Sequence, residues 1–249
     1  GVVAGYGRID GRPVAVLAYD FTTLGASSSP VASLKFQHVR KAASEHGMPF
    51  VILAEAGGAR IPDVMGAVGL GRTKSHQVYQ RMRQSPWVTA IMGPSYGSPT
   101  WKAGMSDFVL MRKGAVMAVS SGNVTSVAIS EEVDPEELGG WRMRTEVTGE
   151  VDRAFDTDQE ILDDIRRFRS YLPSHSQEPP PRAAVPPGSG EGMAGLLDVL
   201  PEERNRVYDV RSVIDRIVDN GSFFPLKERS SKVMVTGLAR SDGNTVGII

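Results

Sequence analysis

The sequence contains no cysteine, and this absence excludes several classes of chemistry. Without cysteine there is no disulfide framework, no thiolate nucleophile and no cysteine-ligated metal. We also expect no other metal site, because the four histidines are scattered and no histidine–glutamate zinc motif is present. A chain without disulfides fits a reducing compartment, and we expect a cytoplasmic protein.

Long apolar runs and an excess of charge of one sign are also lacking. No apolar run approaches the roughly 18 residues of a membrane span, and there is no signal-peptide pattern. The formal net charge is −1, so the chain has no excess of positive charge that would indicate binding to nucleic acid or to a membrane surface. With 41% hydrophobic residues among 249, it is typical of a globular protein that buries a sizeable core.

The first 170 residues or so alternate strand-like and helix-like patterns. Asp10-Gly11 separates two β-prone runs at 2–9 and 13–20, which is the strongest short signal for a hairpin. Strands alternating with helices indicate an α/β fold, and the apolar strands fit a buried parallel sheet. The further predicted strands are at 50–54, 87–92, 108–111 and 115–119. The predicted helices are at 31–46, 69–84, 98–105 and 158–171. A loop is predicted at 62–67 and a capped acidic segment at 130–138.

A proline-rich segment divides the chain, and the opening pattern returns beyond it. Runs such as Pro179-Pro180-Pro181 are unable to build a core, so they indicate a linker, and an amphipathic helix is predicted at 209–219. Six residues near the start of the chain then recur, five as the same residue and one as a similar residue, each the same number of positions later in the sequence. This predicts the start of a second copy of the first domain. The alternative is that many unrelated hairpins carry Asp-Gly. The recurring pairs are Gly5 and Gly237, Arg8 and Arg240, Asp10 and Asp242, Gly11 and Gly243, Val14 and Val246, and Val16 and Ile248.

We therefore expect a first domain over residues 1–172, a linker over 173–207 and the start of a second domain over 208–249. The chain begins and ends inside strand-like patterns, and from this we expect a fragment of a longer protein.

Two glycine-containing turns follow two of the predicted strands. Gly57-Gly58-Ala59 comes after one buried strand, and Gly97-Ser98 lies in the segment after the next. Glycine lets a ligand come within hydrogen-bonding reach of the backbone, and open α/β sheets bind ligands at this end of their strands. If one N–H from Gly58 or Ala59 and one from Gly97 or Ser98 converge, they form an oxyanion hole.

The segment 93–97 also matches the nucleophile-elbow pattern G-x-S-x-G, which makes Ser95 a candidate nucleophile. This competing hypothesis, a serine hydrolase, requires a histidine after the serine. His175 is the only histidine there, and it lies in the proline-rich linker.

Four cations are candidates for contacts with ligand phosphates, although each one by itself better fits a solvated surface charge. They are Lys35, Arg60, Arg72 and Lys74.

Four segments, at 5–16, 57–61, 91–94 and 136–140, resemble the carboxyltransferase subunit of biotin-dependent acyl-CoA carboxylases. The resemblance spans essentially the whole chain. It implies a crotonase-like fold, the ββα superhelix of the ClpP/crotonase type, present as two consecutive domains. It further implies that the first domain binds acyl-CoA and that the second receives carboxybiotin. The active site would then lie between the first domain of one subunit and the second domain of another, in a dimer-based homo-oligomer that we expect to be a hexamer.

The resemblance also implies an activity and residue roles. The enzyme would move a carboxyl group from carboxybiotin to the α-carbon of an acyl-CoA through an enolate. Backbone N–H groups of Gly58 or Ala59 and of Gly97 or Ser98 would hold the thioester oxygen. The expected partners are a biotin carboxyl carrier protein and a biotin carboxylase subunit. The expected contacts to CoA are Lys35, Gly57, Arg60 and Tyr96.

The sequence departs from the family pattern in the second turn. After Gly-Pro the family usually has a small residue, Ala and then Gly-Gly-Ala, whereas this chain has Tyr96, Ser98 and Pro99 at three of those positions. A backbone donor tolerates serine, and the bulk of Tyr96 is expected to alter the acyl pocket. Two other hypotheses stay open: a crotonase-fold hydrolase or isomerase, and a non-catalytic assembly subunit.

Overall fold

The computed structural model describes residues 1–64, 83–203 and 205–249. The helix predicted at 69–84 falls almost entirely outside the described residues, as do Arg72 and Lys74, while residues 83 and 84 are not helical. Within the described ranges, no helix is long and apolar enough to cross a membrane.

A seven-stranded sheet is the centre of the fold. Its first two strands are antiparallel, and every later strand joins in parallel. The strand order is β1-β2-β3-β4-β5-β7, and β6 pairs with the carboxyl end of β4. The strands are β1 (Val2–Ile9), β2 (Arg12–Tyr19), β3 (Phe50–Ala56), β4 (Trp87–Tyr96), β5 (Phe108–Arg112), β6 (Val116–Ala118) and β7 (Arg153–Phe155).

The helices begin where their capping residues predict. Ser29 Oγ accepts the Ala32 N–H, and Thr157 forms a capping box with Glu160, each satisfying a backbone donor that the helix itself leaves free. The helices of this part are α1 (Pro30–Glu45), α2 (Ile61–Val64), α3 (Ser98–Gly104), α4 (Gly122–Ile129), α5 (Pro135–Gly139) and α6 (Asp158–Tyr171).

Three local predictions differ from the structure. β4 continues through Gly93 and Pro94 to Tyr96, because its last residues pair with β6. The predicted loop at 62–67 begins as the single helical turn α2, and α4 occupies a stretch for which no element was predicted. The acidic segment at 130–138 is helical only in its second half, where Asp134 caps α5.

The sheet buries both of its faces, as parallel sheets do. On one face, Phe50 and Ile52 pack with Phe36 and Val39 of α1. On the other face, Val51, from the same strand, packs with residues of α6. The alternation of side chains along β3 therefore places α1 and α6 on opposite sides of one sheet.

Residues 208–249 form a second, three-stranded antiparallel sheet beside a short amphipathic helix. Phe224 is fully buried against Phe108, Phe168 and Tyr171, so this part packs on α6 of the first part. The intervening segment is mostly irregular, with short helical turns at Glu191–Gly195 and Leu197–Val199. The elements are α7 (Val210–Ile217), β8 (Phe224–Leu226), β9 (Thr236–Ser241) and β10 (Asn244–Ile248).

The two hairpins have the same turn. Asp10 and Gly11 have φ of 49° and 76°, and Asp242 and Gly243 have φ of 50° and 75°. Two consecutive residues with positive φ are the signature of a type I′ turn. An arginine two residues before each turn donates to the carbonyl oxygen of the turn glycine: Arg8 does so to Gly11 at 2.6 Å, and Arg240 to Gly243 at 3.4 Å.

Candidate active site

The first glycine turn follows β3 and is held by the loop that precedes α1. The Gly57 N–H donates to Gly25 O at 2.8 Å. Ser28 makes two backbone hydrogen bonds to the residues on either side of Ala59. Its N–H donates to Gly58 O, and its carbonyl oxygen accepts the Arg60 N–H. In this parallel arrangement, the N–H of Ala59 points away from Ser28. Among the described residues, neither the Gly58 N–H nor the Ala59 N–H has a hydrogen-bond acceptor.

The second turn follows β4 and starts α3. The Gly97 N–H donates to Ala118 O at 3.0 Å, so this predicted oxyanion donor already has an acceptor within the chain. The first bond of α3 runs from Trp101 N to Gly97 O, and the Ser98 N–H lies before it. Pro99 has no N–H to compete at this end of the helix. Of the two donors predicted in this turn, Ser98 is the one left available.

The two turns lie side by side. β3 and β4 are adjacent parallel strands, with Ala56 opposite Ser95 after a shift of register. A Cβ placed on Gly58 would be 3.8 Å from Tyr96 Cβ, which puts the first turn in direct contact with the residue before Gly97. Tyr96 is half-buried there. The topology therefore brings Gly58, Ala59 and Ser98 to one edge of the sheet.

A buried lysine adjoins the second turn, and sequence reasoning missed it. Lys102 Nζ lies 2.6 Å from Ser98 Oγ and 2.5 Å from the Tyr19 hydroxyl oxygen, and Lys102 is 7% exposed. Burial lowers the pKa of Lys102 to about 8. Burial also raises the pKa of Tyr19 to about 12, against a smaller lowering by its hydrogen bond with Ser98. The available signal was the spacing of serine and lysine, which places both on one face of a helix.

Ser95 does not occupy the position of a nucleophile. Its side chain is fully buried within β4, and its Oγ lies 3.1 Å from Ala54 O and 3.3 Å from Gly93 O. His175 pairs with Glu178 at 3.1 Å. The serine-hydrolase prediction for Ser95 is therefore wrong, because β4 extends through the apparent elbow, with a shift of register against β3, and buries the Ser95 hydroxyl.

The two described cations that are predicted to meet phosphates both have partners within the chain. Lys35 Nζ donates to Val2 O at 2.9 Å. Arg60 Nε donates to Ser27 Oγ at 3.2 Å, and its Nη1 lies 3.3 Å from Asp63. One hydrogen bond leaves the Lys35 ammonium two further donors, and Arg60 is held beside the glycine turn.

The sequence over residues 1–249 matches the family model described as a carboxyl transferase domain. The chain belongs to the carboxyl transferase domain family. It is 36% identical over 256 residues to the carboxyltransferase subunit of propionyl-CoA carboxylase from Haloferax mediterranei, covering 100% of this chain and 48% of that relative. It is 34% identical over 255 residues to the propionyl-CoA carboxylase beta chain of Roseobacter denitrificans, covering 100% of this chain and 49% of that relative.

A solved carboxyltransferase has the same fold. The structure of transcarboxylase 12S, described as a hexamer with methylmalonyl-coenzyme A and methylmalonic acid bound, matches with a TM-score of 0.89 and 29% identity. The match covers 99% of this chain and 48% of that one. The carboxyl transferase domain described here is thus an α/β, crotonase-like fold, as predicted, and the chain spans about half the length of the relatives it matches.

Proposed function

We propose that this chain supplies the acyl-CoA side of a biotin-dependent acyl-CoA carboxyltransferase. The N–H of Ser98 and the N–H of Gly58 or Ala59 hold the thioester oxygen while the enolate forms. The observation that carries the proposal is the pair of adjacent turns at the ends of β3 and β4, with backbone donors that have no acceptor among the described residues. The membership of the chain in the carboxyl transferase family supports the reaction class.

The chemistry explains why backbone donors are sufficient on this side of the reaction. The α-carbon of a thioester becomes a nucleophile when its proton leaves and negative charge moves onto the carbonyl oxygen. Fixed N–H groups stabilise that charge without reorganising, and loss of one donor typically lowers the rate by about 10²–10³. The carboxyl group would come from carboxybiotin on a carrier protein. Its N–carboxyl bond would break as the new C–C bond forms, and the released biotin nitrogen would take up the proton lost from the α-carbon.

Lys35 and Arg60 are the proposed contacts to the CoA phosphates, with the backbone of Gly57 and the ring of Tyr96 beside them. Lys35 keeps two ammonium protons free, and Arg60 is positioned next to the glycine turn by Ser27. Tyr96 adjoins that turn from the β4 side, and we propose that its bulk limits the size of the acyl group. This is the basis on which we assign substrate binding to these residues.

The experiment that tests the proposal measures carboxyl transfer by the full-length chain, with its biotin carrier protein, biotin carboxylase and a series of acyl-CoA substrates. K35M and R60M are expected to raise KM for acyl-CoA about tenfold, since each removes a charge from the phosphate site, with little change in kcat. K41M is the matched control, because Lys41 lies on the same helix and points to solvent. Absence of carboxyl transfer by the wild-type assembly with every acyl-CoA would refute the proposal.

The same proposal extends to domains, partners and location. We infer a first domain at 1–172, a linker at 173–207 and the start of a second copy at 208–249, supported by the shared type I′ turns and arginine contacts. A biotin carboxyl carrier protein, a biotin carboxylase subunit and further copies of the chain in a dimer-based hexamer are the proposed partners, in the cytoplasm. Native mass spectrometry of the purified assembly measures the stoichiometry, and a monomer would contradict it.

A further inference from the structure

Lys102 is a buried cation in the wall of the proposed oxyanion hole. It lies one helical turn after Ser98 and faces the interior, between β2, α1 and α3. Its ammonium contacts two hydroxyl groups, those of Ser98 and Tyr19, and lies 4.6 Å from the centre of the Phe36 ring and 5.3 Å from that of Tyr19. A buried ammonium costs several kcal/mol of desolvation, so its retention calls for an explanation.

No carboxylate of the described residues forms an ion pair with Lys102, so hydroxyl oxygens and aromatic rings are what stabilise its charge. From β2, Tyr19 stays neutral below pH 10, since burial raises its pKa to about 12. From α1, the neighbouring Lys35 is directed to Val2 O on β1. Two residues after α3, Ser106 Oγ donates to the Lys102 carbonyl oxygen and not to its ammonium.

We propose that Lys102 is a positioning residue for carboxyl transfer, whose ammonium, held on Ser98 Oγ, places a fixed positive charge behind the Ser98 half of the oxyanion hole. The inference rests on the proposed function, since it assumes that the Ser98 N–H faces the thioester oxygen. It also gives a role to Ser98, which stands where the family usually has glycine. Serine supplies the oxygen that anchors the ammonium next to the donor.

The charge stabilises the enolate more than the neutral thioester, which is the condition for accelerating the reaction. In a water-poor site, a unit charge a few ångströms from a developing oxyanion changes rates by about 10- to 100-fold. The effect requires the protonated amine. With a pKa of about 8, Lys102 is mostly protonated at pH 7 and loses its charge as the pH rises further.

The first experiment measures carboxyl transfer against pH for wild type, K102M and K102R in the full-length assembly. Methionine keeps a similar volume without charge, and arginine keeps the charge. We expect K102M to lower kcat about 10- to 100-fold at pH 7, with KM for acyl-CoA changed less than about threefold. Wild-type kcat/KM should fall above about pH 8, and K102M should lack this fall. K102R should retain most of the activity, and its kcat/KM should fall only at a higher pH than that of wild type.

Two outcomes would overturn the inference. One is K102M with wild-type kcat and the same pH profile. The other is a wild-type rate that rises through pH 8 and is lost in K102M, which would indicate a neutral Lys102 acting as a base on Ser98. A purely structural role predicts that K102R also loses activity and that the pH dependence is unchanged.

The second experiment does not depend on turnover. Binding of two CoA analogues is measured by calorimetry: a neutral thioether and a nitronate, whose anionic oxygens mimic the enolate. K102M should weaken nitronate binding about 10- to 100-fold and leave thioether binding unchanged. Equal effects on both analogues, or no effect on nitronate binding, would overturn the inference about Lys102 but would leave the proposed function standing. Failure of wild type to bind either analogue would instead refute the proposed function.

Discussion

The Gly97 N–H donates to the carbonyl oxygen of Ala118 at 3.0 Å, and this bond ties the start of α3 to β6. Gly97 has φ of 73° and ψ of −110°, a conformation that residues with a side chain rarely adopt. The bond occupies the N–H of one predicted oxyanion donor and at the same time restrains the backbone next to Ser98. The strain that a side chain would introduce here is therefore expected to affect both stability and the site.

Gly97→Ala should lower the free energy of unfolding by about 1–3 kcal/mol and carboxyl transfer by at least tenfold, since α3 shifts its first residue to relieve the backbone. Urea unfolding and kcat measure the two effects. Gly104→Ala, at the other end of α3, is the matched control. Nothing lies within 4 Å of its added Cβ, so stability should be unchanged or slightly higher. Equal behaviour of the two variants would contradict the assignment of strain to Gly97.

Lys102 makes stability depend on pH in the direction opposite to that of a lysine in an ordinary ion pair, whose folded-state pKa is raised. Its folded-state pKa of about 8 lies below the value of 10.5 expected when unfolded, so the unfolded chain binds more protons between these pH values. Stability should therefore rise as the pH increases from 8 towards 10. Above pH 10 the gain is offset, because burial keeps Tyr19 protonated in the folded chain while the unfolded chain loses that proton.

Lys102→Met should stabilise the chain at pH 7 by up to about 3 kcal/mol, the free energy that corresponds to the lowered pKa, and should remove the rise with pH. Urea unfolding at pH 7 and pH 9.5 tests this. K41M serves as the control, because the Lys41 side chain is 75% exposed and its loss should change neither value. Parallel pH dependences of wild type and K102M would show that the ammonium is not desolvated.

Phe224 joins the second sheet to the first part of the chain. Its ring is fully buried, with centroids 5.7 Å from Phe108 and 6.1 Å from Phe168. Phe224→Ala should cost about 3–5 kcal/mol of unfolding free energy, because it leaves a cavity that α6 is unable to fill. Hydrogen exchange should then accelerate in β9 and β10. Phe21→Ala, at a 39% exposed position, should cost less than about 1 kcal/mol, and a similar loss in both variants would count against this interface.

The sequence predicts most of this fold because its signals are local. The Asp10-Gly11 turn and the helices predicted at 31–46 and 158–171 each depend on neighbouring residues, and all three are confirmed to within about a residue at each end. The end of β4 was mispredicted because pairing with β6 keeps Pro94, Ser95 and Tyr96 extended, and that partner lies more than twenty residues away in sequence. Long-range pairing of this kind leaves no local signal.

The candidate site also has parts that the sequence predicts and parts that it does not. The glycine turns carry a local signal, whereas the state of each N–H depends on distant partners. Gly97 and Ser98 are equivalent as donors in the sequence, and only the Ala118 carbonyl distinguishes them. Lys102 was missed because its burial depends on Tyr19 and Phe36, which come from β2 and α1.

Ser95 provides the remaining test, since its sequence context resembles that of a nucleophile and its structural context does not. The hydroxyl lies in the interior between Ala54 O and Gly93 O, so no substrate carbonyl reaches it. Ser95→Ala should lower the free energy of unfolding by about 1 kcal/mol for the lost hydrogen bond. Carboxyl transfer and any thioester cleavage should stay within about threefold of wild type, because the backbone donors do not involve this hydroxyl. Ser106→Ala, which removes a hydroxyl 2.7 Å from Thr89 Oγ1, should show a similar loss of stability and serves as the control. A hundredfold loss of thioester cleavage in a folded S95A variant, with S106A unaffected, would restore Ser95 as a nucleophile and would require the end of β4 to open in solution.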